Sequence, residues 1–282
     1  MTKKIVAMPM IPGQIRRGIQ IRSGLGYAKY GEATWRWWCE RHGIDFVVLD
    51  KPLGGDGYAQ MPPTFQRWFA PELLICEHGT DARVALVDAD TMIRWDAPDF
   101  FEEAQGFAAV RGESGAWIAR SIEAFQHLFP WTSLVWSESF NAGFVVLGHA
   151  QLAVIRAFLE FSLSNWRKLS AIMLSGDFGT DQTPLNLMVR RQNEPVHFLP
   201  PAFNVLHCFS ADPMLKRVEQ SPSVEQNVFA DKVLSRPGAF DFLDSGYVWH
   251  FNSVHGLRSM VMRETWRRVR SNYPGATVHQ DP

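Results

Sequence analysis

Short apolar runs alternate with amphipathic stretches along most of the chain. Lys4 to Met8 predicts a first strand. Tyr27 to Arg41 predicts a helix with Tyr30, Trp35 and Trp38 facing inward, closed by His42-Gly43, and Asp45 to Leu49 (DFVVL) predicts a second strand. That order calls for a right-handed crossover and parallel pairing. Gly54 to Pro63, rich in Gly and Pro, is a loop feeding a helix over Thr64 to Cys76 that Pro71 should kink or split. After a turn at Gly79 to Ala82, Val84 to Val87 reads as a buried strand, Trp95 to Glu103 as a small helical exit and Phe107 to Val110 as another strand. A helix follows around Ala119 to Leu128. Phe144 to Leu147 is a further strand, approached through a tight Asn141-Ala142-Gly143 turn. Leu152, Ile155, Leu159, Leu163 and Trp166 recur near helical spacing in Gln151 to Trp166, and core packing explains them without any function. A helix starting at Thr180 or Asp181 tolerates Pro184 in its first turn. Val196 to Leu206 is extended and carries paired prolines, and Ser210 to Gly238 is polar, a surface wrap or a lid. Gly246 to Phe251 is a last strand delivering His250, and Leu257 to Asn272 a last helix.

Strands alternating with helices predict an α/β fold: a single Rossmann-like domain with a central, mostly parallel sheet flanked by helices. At 282 residues the chain can bury a substantial core. The formal charge of −1 argues against a protein that coats nucleic acid non-specifically. Cys39, Cys76 and Cys208 lie outside any metal or redox spacing, so a reduced, cytoplasmic setting is expected. The apolar start is broken by Pro9 and Pro12, which fits a strand better than a signal peptide. No transmembrane segment is expected, because Gly143 to Leu163 contains His149, Gln151, Arg156 and Glu160.

Chemistry concentrates first at Val84 to Asp96 (VALVDADTMIRWD), where the strand runs into two aspartates. Strand alternation would put Asp88 and Asp90 on one face, and two converging carboxylates suit a hard cation such as Mg²⁺ or Mn²⁺. About one Asp-x-Asp is expected by chance in such a composition, so its context must carry the claim. The loop Pro9 to Gly26 carries Arg16, Arg17 and Arg22 where ligands of α/β sheets commonly bind, and a solvated loop explains it equally well. Asn141 and Gly143 offer an amide and a close backbone approach, or merely a turn. Asp181 is either a helix cap, the commoner use of Asp at such a place, or a catalytic carboxylate. Arg258, Arg263, Arg267, Arg268 and Arg270 on the last helix read as a solvated basic face, with phosphate, membrane-surface or nucleic-acid contact as the rarer use.

Together, FQRWFAPELL (65–74), RVALVDADTMI (83–93), NAGFVVL (141–147), GTDQTPLN (179–186), FLPPAFN (198–204) and VWHFNS (248–253) resemble, in order, the GT-A fold nucleotide-sugar glycosyltransferases, particularly the retaining galactosyltransferase and glycogenin-type group. The resemblance implies a GT-A domain over 1–256, with a donor half about 1–110 and an acceptor half about 111–256, followed by a basic helix and tail at 257–282. It implies a hexosyltransferase that takes sugar from a nucleoside diphosphate donor, uridine diphosphate at the family level. Asp88 and Asp90 match the DxD aspartates, with Ala89 between them on the donor, and His250 the family's C-terminal histidine; together they would hold Mn²⁺ or Mg²⁺. Arg67, Asn141 and Gly143 match donor-facing positions, and Asp181 with Gln182 the pair beside the anomeric carbon. Where the family has a glycine and then a lysine on the diphosphate, this chain has Ser253, with His255, Gly256 and Arg258 after it. Arg258 is the substitute for that lysine, and His255 rivals His250 as ligand.

Such a site makes chemical sense, since cation and arginine stabilise the charge of a diphosphate leaving group. Asp181 could stabilise an oxocarbenium-like centre in a retaining reaction or act as base in an inverting one. The acceptor is expected to be a glycan, a lipid-linked saccharide or a small molecule, with a polyanion such as modified DNA as the alternative. Two other readings stand beside this one. DADT also opens the haloacid-dehalogenase-type phosphatases, although there it follows the first strand of the domain, and the fold could serve as an inactive sugar-nucleotide binder.

Overall fold

The structure is a computed structural model and describes residues 2–11, 25–58, 61–112, 116–176, 178–206, 208, 232, 234–252 and 257–278. Arg16, Arg17, Arg22, Ser253, His255 and Gly256 lie outside the described residues, as does most of 210–238. The chain forms two compact units, each assembled from three stretches of sequence: Met1–Ile21, Val47–Val87 and Phe100–Pro200 in one, and Arg22–Phe46, Asp88–Asp99 and Pro201–Pro282 in the other.

The first unit is built on a six-stranded sheet in the order β2-β1-β3-β6-β5-β7. The strands are β1 (Lys4–Pro9), β2 (Asp45–Leu49), β3 (Arg83–Val87), β5 (Phe107–Arg111), β6 (Phe140–Gly148) and β7 (Val196–Leu199). β1 runs parallel to β3 and β5 to β7, while β6 lies antiparallel between β3 and β5. The sheet is thus mostly parallel, as expected. Its central strands are buried along nearly their whole length, which is why they read as unbroken apolar runs rather than alternating ones.

Helices α2 (Pro63–Gln66), α3 (Ala70–His78), α4 (Phe100–Glu103), α5 (Ala116–Gln126), α6 (Leu152–Ser164), α7 (Trp166–Ser175) and α8 (Gln182–Arg191) complete the unit. Phe65, Trp68, Phe125, Phe129 and Phe158 fill its core, with Phe65 and Phe158 stacked at 5.7 Å. The Thr64 to Cys76 helix is indeed split, but at a 3-10 turn over Arg67–Phe69. Pro71 sits harmlessly in the first turn of α3, where its missing N–H is not needed. Three expectations are corrected. Only Phe100–Glu103 of the Trp95 to Glu103 stretch is helical, the Gln151 to Trp166 helix ends at Ser164 with Trp166 opening the separate helix α7, and Asn141-Ala142-Gly143 is no turn but part of β6, whose strand begins at Phe140.

The second unit contains α1 (Ala28–His42), the C-terminal helix Arg258–Val269, and a two-stranded antiparallel sheet of β4 (Thr91–Ile93) and β8 (Val248–His250). Gly43 ends α1 in the left-handed conformation (φ 64°), and its N–H caps the last turn. Trp35 and Trp38 of α1 are fully buried. Their indole N–H groups donate to Thr91 Oγ1 (3.0 Å) and the Ala97 carbonyl (2.8 Å), while Thr34 Oγ1 accepts from the Ile93 N–H (3.2 Å). One helix therefore braces β4 and the segment that follows it. Met92, Trp249, Phe251, Val261, Met262 and Tyr273 pack into this unit's own core. No helix among the described residues is long and apolar enough to cross a membrane.

Candidate active site and metal centre

Strand alternation does not bring Asp88 and Asp90 together. β3 ends at Val87, and Asp88–Asp90 form a turn closed by the Thr91 N–H donating to the Asp88 carbonyl (3.0 Å), with Thr91 Oγ1 on the same oxygen (2.6 Å). β4 then pairs with β8 in a register that sets Thr91 opposite His250, and the Phe251 N–H donates to the Asp90 carbonyl (2.9 Å). The imidazole thereby arrives beside the aspartate turn. His250 Nε2 lies 3.3 Å from Asp90 Oδ1 and 3.6 Å from Asp88 Oδ2, and one ligand atom from each residue falls within 4.8 Å of the others. Adjacent ligands of an octahedral ion at ~2.1 Å stand ~3 Å apart, close to these separations.

The protonation pattern also suits a cation. His250 Nδ1 is 3.0 Å from Asn204 Oδ1, an acceptor, so in the neutral imidazole that would bind a cation Nδ1 carries the hydrogen and Nε2 presents its lone pair. Nε2 is buried and has no hydrogen-bond partner among the described residues. A lone pair facing two carboxylates needs a positive centre between them. The three residues fit a divalent ion on that ground. Removing the amide oxygen that holds the imidazole should weaken the site: Asn204→Ala is expected to lower divalent-ion affinity about 10–100-fold in a titration calorimetry experiment, with Asn204→Asp restoring most of it.

Arg258 completes the cluster. Its Nη2 pairs with Asp90 Oδ2 at 3.0 Å, its Nε donates to the Phe251 carbonyl (3.0 Å), and its guanidinium lies over the Tyr27 ring at 5.0 Å. Burial alone would raise the Asp90 carboxyl pKa, but Arg258, and after it His250 when the imidazole is protonated rather than cation-bound, outweigh burial and hold the group well below the usual carboxylate range. Burial, reinforced by Asp90, pushes the Tyr27 phenol up. The basic-face expectation for the last helix holds for Arg263, Arg267, Arg268 and Arg270, which are exposed, and fails for Arg258, which turns inward. Ala89, at the tip of the aspartate turn, is 8% exposed and leaves no side chain in the way.

In the first unit the remaining predicted residues gather at the start of α8 and the beginning of β6. Asp181 stands at the N-cap position yet makes no side-chain cap hydrogen bond. Its Oδ2 instead accepts from Arg67 Nε (3.1 Å), Arg67 Nη2 (2.7 Å) and Trp68 Nε1 (2.7 Å), and Oδ1 accepts from Thr180 Oγ1 (3.0 Å). The helix-cap expectation is corrected: the guanidinium of Arg67 outcompetes α8's own N–H groups for this carboxylate. Gln182 Oε1 accepts from Asn141 Nδ2 (3.0 Å) and the Ala142 N–H (3.2 Å), and Asn141 Oδ1 accepts from the Gly143 N–H (2.8 Å). Asn186, one turn along α8, bonds both backbone groups of Phe140 (2.8 and 3.0 Å). Sequence reasoning missed the parts played by Trp68, Asn186, Asn204 and Tyr27. Asn186 had the one legible signal, its i+4 spacing from Gln182.

No protein-family model and no curated protein sequence matches the chain. Among solved structures, a glycosyltransferase involved in the glycosylation of the major capsid of PBCV-1 matches 92% of this chain and 99% of its own at 13% identity, with a TM-score of 0.53. The glycosyltransferase GlyE of Streptococcus pneumoniae TIGR4 aligns with 99% of this chain and 67% of its own (12% identity, TM-score 0.45). Mouse xyloside xylosyltransferase 1, in its apo form, aligns with 89% and 98% respectively (12% identity, TM-score 0.44). The likeness to the first of these shows that the chain shares the α/β fold of that glycosyltransferase.

Proposed function

We propose that the protein is a divalent-cation-dependent glycosyltransferase that moves a sugar from a nucleoside diphosphate donor, a uridine diphosphate sugar by the motif resemblance, to a hydroxyl acceptor with retention of configuration. The observation that carries this reading is the unpartnered, buried His250 Nε2 aimed at Asp88 and Asp90 on a glycosyltransferase fold. Two carboxylates and one imidazole favour Mn²⁺ over Mg²⁺, because Mg²⁺ prefers oxygen alone. When bound, the cation stabilises negative charge on the departing diphosphate.

The chain's own groups do the rest. Asn204 fixes the His250 tautomer, and Arg258 keeps Asp90 ionised and oriented, which we put ahead of direct contact with the diphosphate. In the first unit, Gln182 and Asn141 are the amides for sugar hydroxyls, with the Gly143 backbone beside them, and Asp181, held by Arg67 and Trp68, is the negative charge for an oxocarbenium-like centre. Those four donors leave Asp181 poorly placed to collect a proton, which favours retention over an inverting base mechanism. Neither feature is of use to a haloacid-dehalogenase-type phosphatase, whose nucleophilic aspartate follows the first strand of its domain rather than the third.

Incubation with Mn²⁺ and a panel of nucleoside diphosphate sugars should release free nucleoside diphosphate slowly without acceptor. Hydrolysis of a phosphate monoester with no response to any sugar nucleotide would sink the proposal. Mn²⁺ alone, at about 100 times its dissociation constant, should add ~2.7 kcal/mol to unfolding stability, visible as a raised melting temperature that chelator reverses.

A further inference from the structure

Between α5 and β6 the chain runs through a loop, PWTSLVWSE at 130–138, that turns large apolar side chains into solvent. Trp131 is fully exposed, and Val135 and Trp136 are about half exposed. Tryptophan is ordinarily among the more buried residues, so two such indoles on one loop call for an explanation. Trp131 also stands in the left-handed region at φ 69°, where a bulky residue is strained and glycine is at ease. Trp136, Ser137 and Glu138 form one side of an open cleft of about 520 Å³, and Arg111 and Gly112, at the end of β5, form the other. A Cβ at Gly112 would come within 3.3 Å of the Phe140 carbonyl carbon and of Ser139 Oγ, so glycine lets the end of β5 lie close to the start of β6. The cleft adjoins the strand that carries the candidate sugar-binding amides. The Gly112 N–H donates to the Ser139 carbonyl (2.8 Å), Arg111 pairs with Phe140, and the next residue, Asn141, bonds Gln182.

We propose that this cleft, with the indole of Trp136 in its wall and that of Trp131 exposed on the same loop, is an acceptor subsite and that the acceptor is a saccharide of several sugar units. The proposal rests on the glycosyltransferase reading and narrows it. Indole faces offer flat, rigid apolar area to the C–H faces of pyranose rings, and Ser137 and Glu138 offer hydrogen bonds to their hydroxyls. Charge discriminates among ligand classes. Nucleic acid and anionic membrane surfaces need clustered cations. The only charge in the loop is Glu138, and the cations beside it are engaged: Arg190 with the Ser133 carbonyl (3.2 Å) and Glu138 (3.9 Å), and Arg111 with the Phe198 ring (4.1 Å) and the Ser137 carbonyl. A neutral, hydroxyl-rich chain suits such a surface.

The test is direct binding, measured by calorimetry without donor, against pentasaccharides of glucose, galactose, mannose, rhamnose and N-acetylglucosamine. The wild-type protein should bind at least one of them. Trp136→Ala should weaken that binding about tenfold or more, and Trp136→Tyr should keep most of it. Trp131→Gly should weaken binding while leaving the melting temperature equal or higher, because glycine relieves the left-handed backbone. Absence of binding across the panel, or binding indifferent to both tryptophans, overturns the proposal. So does tryptophan-dependent binding to anionic phospholipid vesicles or duplex DNA instead of the saccharides. Nucleoside diphosphate release by the wild-type protein, read separately, tests the enzyme reading: if it is absent while tryptophan-dependent saccharide binding persists, the transferase assignment falls and the saccharide site stands.

Discussion

Asp88→Asn is expected to cut cation-dependent release of nucleoside diphosphate about 10³-fold, the ~4 kcal/mol that one preorganised electrostatic partner contributes to a transition state. Asp88 is the informative position because its side chain is 30% exposed and its substitution leaves the rest of the cluster paired. Asp90→Asn would be ambiguous, since it would also strip Arg258 of its carboxylate and unsettle the Tyr27 stack. The stabilisation by Mn²⁺ should disappear in Asp88→Asn while the metal-free melting temperature stays within about 2 °C of wild type, a small surface-type change. Release that survives the substitution at near wild-type rate would remove Asp88 from the site and with it the proposed cation.

Arg67→Ala is expected to produce the largest loss of stability, about 3–5 kcal/mol, because it strands a buried carboxylate. Arg67 and Asp181 side chains are 7% and 4% exposed, so water cannot take over the missing partner. Trp68 and Thr180 would remain on Asp181, but neither carries charge. For a chain of this size the loss corresponds to a melting temperature lower by about 10 °C. The double substitution Arg67→Met with Asp181→Leu should recover much of that, since well-packed apolar residues often replace a buried ion pair at little cost, yet it should remain inactive. A thermal shift below about 2 °C in Arg67→Ala would mean that the pair is not the internal strut described here.

The elements with strong periodicity were legible. Apolar runs located β1, β2, β3 and β5 nearly to the residue, and helical spacing located α1 and α6. β4 escaped because three residues give no alternation to detect, although it is the strand that brings Asp90 to His250. β6 was read as starting at Phe144 because Asn141 and Gly143 look like turn residues. In the fold, Gln182 and Asn186 of α8 bond Asn141, Ala142 and Phe140, and Asn141 Oδ1 accepts from the Gly143 N–H, so the polar groups that would otherwise break a strand there are satisfied. Asp88, Asp90 and His250 came from motif order, and their convergence could not have followed from spacing. It depends on a turn and a ladder register, both tertiary facts. Arg258 was read as a diphosphate ligand from the missing lysine, while its pairing with Asp90 was invisible in a sequence where the two lie far apart. Asp181 misled for the same reason, because Arg67 stands more than a hundred residues earlier.

Thr91 and His250 are direct ladder partners about 160 residues apart. During synthesis the aspartate turn leaves the ribosome long before its imidazole exists, so no nascent chain shorter than the β8 segment can form the Asp88–Asp90–His250 cluster. Bringing ends so distant together is slow and entropically costly compared with local helix formation. On the proposed function, tight Mn²⁺ binding would mark completed assembly, and a chain stalled or cut before Val248 would carry both aspartates yet bind the ion only as weakly as any exposed acidic turn.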